Sequence, residues 1–146
     1  MLNGLLHAHS GLRWIVLILL VLAVLKSLAG WLGNKEYTKV DRKLSVYTFM
    51  TMNVQFIIGL VLYSISPKVL FTADTMGNSM VRFYTVEHIT LMIIAIIVIS
   101  IGYSKAKKAT ENLAKHKNTA IMFGIGLLLI LAAIPWPFRG LGAGWF

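Results

Sequence analysis

Two pairs of residues carry the chemistry available to this chain. His9 is followed by Arg13 four positions later, and Arg82 is followed by His88 six positions later. A neutral imidazole nitrogen is a good metal ligand. Two imidazoles on opposite faces of a flat macrocycle hold a haem iron. The macrocycle is apolar, but its propionates are anionic and need cations. On a helix, Arg13 lies one turn after His9, and His88 lies about 9 Å along the axis from Arg82. Both arginines therefore stand where propionates would point, and Arg139 is a third such cation. The candidate ligands are His9 and His88, with Arg13 and Arg82 as the cofactor-binding cations. His7, two residues from His9, points elsewhere on a helix and is the fallback ligand.

Plainer readings of the same residues stand beside this one. A histidine near a helix end often sits at an interface or bonds a neighbouring carbonyl. Glu87 has three readings: orienting a ligand histidine, carrying protons, or pairing with Arg13 across helices. Asn53 and Gln55 read as hydrogen-bonding glue between helices. Met50, Met52, Met92 and Met122 are able to ligate haem, but methionine in a bundle is mostly filler. His116 stands among lysines and reads as solvated.

Other site chemistries lack their residues. There is no cysteine, which removes thiolate catalysis, iron–sulfur ligation and cysteine zinc sites. A di-iron carboxylate site needs several inward glutamates, and the spans offer only Glu87. Zinc needs three or four ligands, for which only His7, His9, Asp74, Glu87 and His88 compete. No phosphate loop or nucleophile elbow is present.

The elements that must position these residues are membrane spans. The chain has 146 residues, 58% of them hydrophobic and 13% charged, where soluble domains run near half and a quarter. Four apolar blocks cover 12–32, 44–65, 81–104 and 119–138. Each has about 20 residues or more, enough for a helix to cross about 30 Å of hydrocarbon. In lipid the backbone must satisfy its own hydrogen bonds, and runs such as LMIIAIIVISI do not alternate as strands do. The first block is expected to remain as a span rather than a cleaved leader. One domain, 1–146, is expected: an all-α membrane protein, an antiparallel up-down-up-down four-helix bundle.

Lysine and arginine set its orientation. Lys26, Lys35, Lys39, Arg42 and Lys43 crowd the first loop, and Lys105, Lys107, Lys108, Lys115 and Lys117 the third. These two loops are expected inside, and both termini on the periplasmic side. Trp14, Tyr63, Tyr84, Trp136 and Trp145 form one aromatic belt, with Trp31, Tyr37, Tyr47 and Tyr103 forming the other. The net charge of +9 belongs to these membrane-proximal loops and to anionic lipid, not to nucleic acid. Pro67 is expected to stop the second helix. Residues 106–117 are expected to extend the third as a polar stalk.

Helical spacing selects three packing faces. The first reads His9, Arg13, Val16, Leu20, Ala23, Ser27 and Gly30. The second reads Thr48, Thr51, Gln55, Gly59 and Leu62. The third reads His88, Leu91, Ala95, Ile99 and Gly102. Two of the three bring an imidazole to the outer half of the bundle.

The segments HAHSGLRW at 7–14, DRKL at 41–44, RFYTVEH at 82–88, SKAKKAT at 104–110 and AAIPWPFRG at 132–140 resemble small four-span bacterial inner-membrane proteins labelled cytochrome b. The likeness covers nearly the whole chain. It implies haem b, with His9 and His88 as ligands, and electron transport in the inner (cytoplasmic) membrane. The arrangement is also similar to that of the oxygen-independent membrane protoporphyrinogen oxidases. That group pairs an early histidine with a lysine on a later helix, whereas Lys26 and Lys68 do not lie deep in a late span. The leading expectation is an electron carrier between a quinol or membrane dehydrogenase and an outer acceptor. A cofactor-free accessory subunit of a larger complex and a porphyrin or quinone oxidoreductase are the alternatives. A transporter would need a broken helix near the midplane, and none is evident.

Overall fold

The computed structural model describes residues 1–146, and they form helices, turns and loops with no strand. Four helices are long and apolar enough to cross a membrane: α1 (Leu2–Leu32), α2 (Lys39–Ile65), α3 (Ser79–Lys108) and α4 (Asn112–Ala133). A single 3₁₀ turn, Pro137–Arg139, precedes the tail.

Local chemistry sets each boundary. α1 starts well before the apolar block at 12–32, so His7 and His9 ride on it. No proline interrupts that stretch. The turn after Leu32 closes through Asn34 at φ 48°, a left-handed position that asparagine tolerates. Thr38 then caps α2 in a capping box: its amide donates to Asp41 Oδ2 at 2.8 Å, and the Asp41 amide donates to Thr38 Oγ1 at 3.4 Å. Lys26 of α1 pairs with the buried Asp41 at 2.9 Å, tying the two helices at that end.

α2 stops at Ile65, because Ser66 before Pro67 is extended (ψ 131°). Asn78 caps α3, accepting from the amides of Met80 and Val81 at 3.1 Å each. α4 ends at Ala133 for the same reason as α2, with Ile134 extended ahead of Pro135. The fourth helix therefore ends short of the block at 119–138. The expected polar stalk is also absent: Ala109 turns to ψ 144°, and α4 starts at Asn112. The lysine-rich stretch is divided between the two helices rather than carried on one.

α1 packs on α2 and α4, and α3 packs on α4 and α2, leaving α1 and α3 opposed across the diagonal. The start of α1 lies beside the end of α2, where His9 meets Gly59. The end of α1 lies beside the start of α4, where Gly30 meets His116. Buried positions on α1 are Arg13, Val16, Leu17, Leu20, Ala23, Ser27 and Gly30: the face that the spacing selects, with Leu17 added and His9 only half-buried. On α3 they include Ala95, Ile99 and Gly102. The core adds Met52, Phe123 and Ile130. Outward positions such as Ile18, Ile57, Ile97 and Leu128 are more than half exposed. An apolar exterior around a small-residue interior is the arrangement lipid demands.

His116 is a correction. Rather than being solvated it is 1% exposed, with its ring on Tyr37 (4.9 Å between centres) and Nε2 donating to the Glu36 carbonyl at 3.2 Å. It sits where Gly30 leaves room, since a Cβ there would land in its ring. Gly30→Leu is therefore expected to destabilise the bundle by about 1–3 kcal/mol. Thermal unfolding in detergent, with the unchanged protein alongside, measures this.

Candidate functional site

The residues able to do chemistry meet at the end of the bundle formed by the start of α1, the end of α2, the start of α3 and the end of α4. His88 opens the regular part of α3, directly after a π turn, Phe83–Glu87, whose closing bond runs from the His88 amide to the Phe83 carbonyl. Such single-turn bulges occur often at functional sites. Within it, the Thr85 carbonyl accepts from Tyr63 Oη at 2.8 Å. The Thr85 hydroxyl accepts from the Leu70 amide at 3.1 Å. The π turn thus anchors the loop between α2 and α3.

His88 Nδ1 lies 2.7 Å from the Ala133 carbonyl. A carbonyl only accepts, so Nδ1 carries the hydrogen and Nε2 keeps its lone pair. The carbonyl is available because α4 ends at Ala133, and the last carbonyls of a helix have no partner within it. This is the way a metal-binding histidine is usually oriented. Across the diagonal, the His9 ring centre is 6.4 Å from that of His88, with the planes at 76°. His9 lies against Gly59, where a Cβ would come within 3.1 Å of Cε1. Gln55 Nε2 donates to the His9 carbonyl at 2.8 Å.

Both imidazoles line a cavity of about 330 Å³, within the range of small-molecule sites (about 300–1,000 Å³). Its walls are mainly apolar, among them Met52, Leu62, Met92, Ala95, Ile130 and Ile134. His7 is exposed and reaches only its rim. Residues 142–144 and Phe146 of the tail close it on one side.

Three buried polar atoms on lining residues have no hydrogen-bond partner: His9 Nδ1, Arg13 Nε and Gln55 Oε1. Each such orphan costs about 1–3 kcal/mol, which a bound polar group would recover. Arg13 is 9% exposed, and its Nη2 donates to the Trp145 carbonyl at 2.7 Å. Trp14 Nε1 donates to the same carbonyl at 3.0 Å.

The cations divide differently from the sequence expectation. Arg13 reaches the cavity. Arg82 does not: it turns to Glu87, Nε to Oε1 at 2.7 Å, and to the Met76 carbonyl at 3.0 Å. Its guanidinium is taken by the nearest carboxylate, five residues away across the π turn. Glu87 is thereby paired on its own helix and not with Arg13. Arg139 caps the end of α4, donating to the Ala132 and Ile134 carbonyls at 3.0 and 3.1 Å. Asn53 bonds locally, to the Phe49 carbonyl. Of the four methionines, Met52 and Met92 line the cavity.

Sequence reasoning missed Lys68, Tyr84 and the tail. Lys68 donates from Nζ to the Gly142 carbonyl at 2.5 Å, and Tyr84 Oη to that of Leu141 at 3.0 Å. All three features line or close the cavity. Nothing in the spacing of GLGAGWF signals that it folds back.

No group of three or more histidine, cysteine or carboxylate side chains gathers to hold a metal ion. Two imidazoles are too few for a structural zinc site. They suffice for an iron whose other four donors come from a porphyrin. Comparison with family models, curated proteins and solved structures found no match to this chain.

The Arg82–Glu87 pair is partly exposed, 38% and 39% at the side chains. Glu87→Gln is expected to lower stability by no more than about 1 kcal/mol. It should also leave ligand uptake by the cavity unchanged, as read by unfolding and by hemin titration of the same variant.

Proposed function

We propose that this chain is a b-type haem protein of the bacterial inner membrane. It would pass single electrons between a quinol or membrane dehydrogenase and a periplasmic acceptor. In this reading the helices run as an antiparallel up-down-up-down bundle with both termini on the periplasmic side. The lysine-rich end, where Lys26, Lys39, Lys105 and Lys117 lie, then faces the cytoplasm, and the cavity opens toward the periplasm.

One observation carries the reading: His9 and His88 come together across the bundle diagonal, with 6.4 Å between ring centres and the planes at 76°. Two imidazoles from separate helices at that separation, beside one cavity, would hold a flat metal-bearing ring between them. Supporting it, His88 already has Nδ1 on the Ala133 carbonyl, which leaves Nε2 for the iron. When bound, the haem would supply the reversible one-electron couple. The chain's own work is to hold two neutral imidazoles, keep water from an apolar slot, and aim Arg13 at the acidic edge of the ring. A buried cation would also favour the reduced form, because it opposes the positive charge the site gains on oxidation. The cofactor-free accessory reading gains nothing from the cavity, since the orphaned His9, Arg13 and Gln55 atoms would then stay unpaired.

The experiment is an optical titration. The purified protein with hemin, oxidised and then reduced with dithionite, is expected to give a low-spin bis-imidazole spectrum. His88→Ala and His9→Ala are each expected to abolish it, while His7→Ala keeps it. A folded protein that stays colourless with hemin, or a spectrum indifferent to His88→Ala, would overturn the proposal.

A further inference from the structure

The cavity has a charge that the protein does not balance. Arg13 and Lys68 both line it, yet none of the five acidic side chains does. The ion pairs present are Lys26–Asp41 and Arg82–Glu87, both elsewhere. A buried charge without a counter-ion is costly in an apolar interior. Arg13 is buried and Lys68 half-buried; each lies over an aromatic ring, Trp14 and Tyr84 respectively, and its hydrogen-bond acceptor is a neutral carbonyl of the tail, that of Trp145 for Arg13 and that of Gly142 for Lys68. Arg13 Nε, nine-tenths buried with its residue, has no acceptor at all.

The tail that supplies these carbonyls is weakly held. Of residues 140–146 only Leu141 is buried, while Trp145 is 50% and Phe146 76% exposed. Gly140 and Gly142 both take φ 66°, positions that glycine adopts without strain. Besides aromatic contacts of Trp145 with Trp14 and Trp136 and of Phe146 with Trp14, the attachments are four side-chain bonds to carbonyls, from Arg13, Trp14, Lys68 and Tyr84. A segment with few buried apolar contacts opens at low cost.

We propose that Arg13 and Lys68 form an acid-group subsite, and that the tail carbonyls of Trp145 and Gly142 fill it until a ligand's two carboxylates replace them. The ligand class is an amphipathic diacid: an apolar body lies between the imidazoles, and its acidic edge lies under the tail. No covalent step is involved, only exchange of one acceptor pair for another. A carboxylate on a guanidinium or ammonium forms a stronger, charge-assisted bond than a carbonyl does, so the exchange runs toward the ligand. The inference rests on the haem reading for the shape of the ligand. It differs from the sequence expectation in naming Lys68 in place of Arg82, and in giving the tail a part.

The test uses metal-free protoporphyrin IX and its dimethyl ester, which differ only at the two acid groups. The full chain is placed in lipid nanodiscs, and empty nanodiscs correct for partitioning. The diacid is expected to bind about tenfold tighter or more than the diester. Lys68→Gln, at a half-buried position, is expected to remove most of that preference without weakening the diester. Arg13→Gln is expected to do the same. Because the chain has no cysteine, an Ala143→Cys thiol reports on the tail. It should react faster with a soluble maleimide when the diacid is bound, and not with the diester.

Equal affinities, a preference that survives both substitutions, a thiol indifferent to the diacid, or no binding of either porphyrin would overturn the subsite. The two proposals fail separately. Hemin giving a bis-imidazole spectrum while diacid and diester bind alike removes the subsite alone. A diacid preference without such a spectrum removes the iron ligation alone.

Discussion

The Ala133 carbonyl, left free where α4 ends, is held by His88, and the site depends on that bond. At 2.7 Å it joins the start of α3 to the end of α4. It settles which imidazole nitrogen carries the hydrogen, and so which is left for a ligand. A π turn, Phe83–Glu87, precedes His88 directly, and from His88 onward the helix is regular, with His88, Ala95, Ile99 and Gly102 on one face.

The second constraint is the cost of charge in an apolar interior. Away from the cavity the chain pays it in the ordinary way, with Asp41 beside Lys26 and Glu87 beside Arg82. At the cavity it does not. Arg13 is buried between Trp14 and the Trp145 carbonyl with one nitrogen unserved. A bundle needing only to hold itself together would place a leucine there. Retaining a cation in that position makes sense if something anionic arrives to meet it.

The fold allows this because the helices need no polar interior elsewhere. Leu20, Ala23, Ala95, Ile99 and Phe123 fill the middle of the bundle almost without exposure. Small residues let the backbones approach. The rigid, dry middle leaves polar groups to gather at the two ends: His9, Arg13, Gln55 and His88 at one, Asp41, Lys26 and His116 at the other. Both ends hold a buried imidazole nitrogen without a hydrogen-bond partner, Nδ1 of His9 and Nδ1 of His116, but the first also keeps the cavity. The second is closed, with His116 seated against Gly30 and Tyr37.

Much of this was legible in the sequence. The four helices, the inward face of α1 and the opposition of His9 to His88 follow from apolar length and helical spacing, which are local properties. Helix ends at Ser66 and Ile134 follow from the prolines after them. What spacing cannot contain is the partner of a side chain, because that is set by atoms far along the chain. Arg13 finds a carbonyl at Trp145, Lys68 one at Gly142, and Tyr84 one at Leu141. Arg82 looked equally suited to the cavity, but a carboxylate five residues away was nearer. His116 looked solvated among lysines until α1 offered it the gap at Gly30. Sequence by itself determined which residues lie on which helix face, because 3.6 residues make a turn wherever the chain runs. The tertiary structure alone decided which cations reach the imidazoles and what covers them, because long-range approach, not periodicity, chooses among competing hydrogen-bond partners.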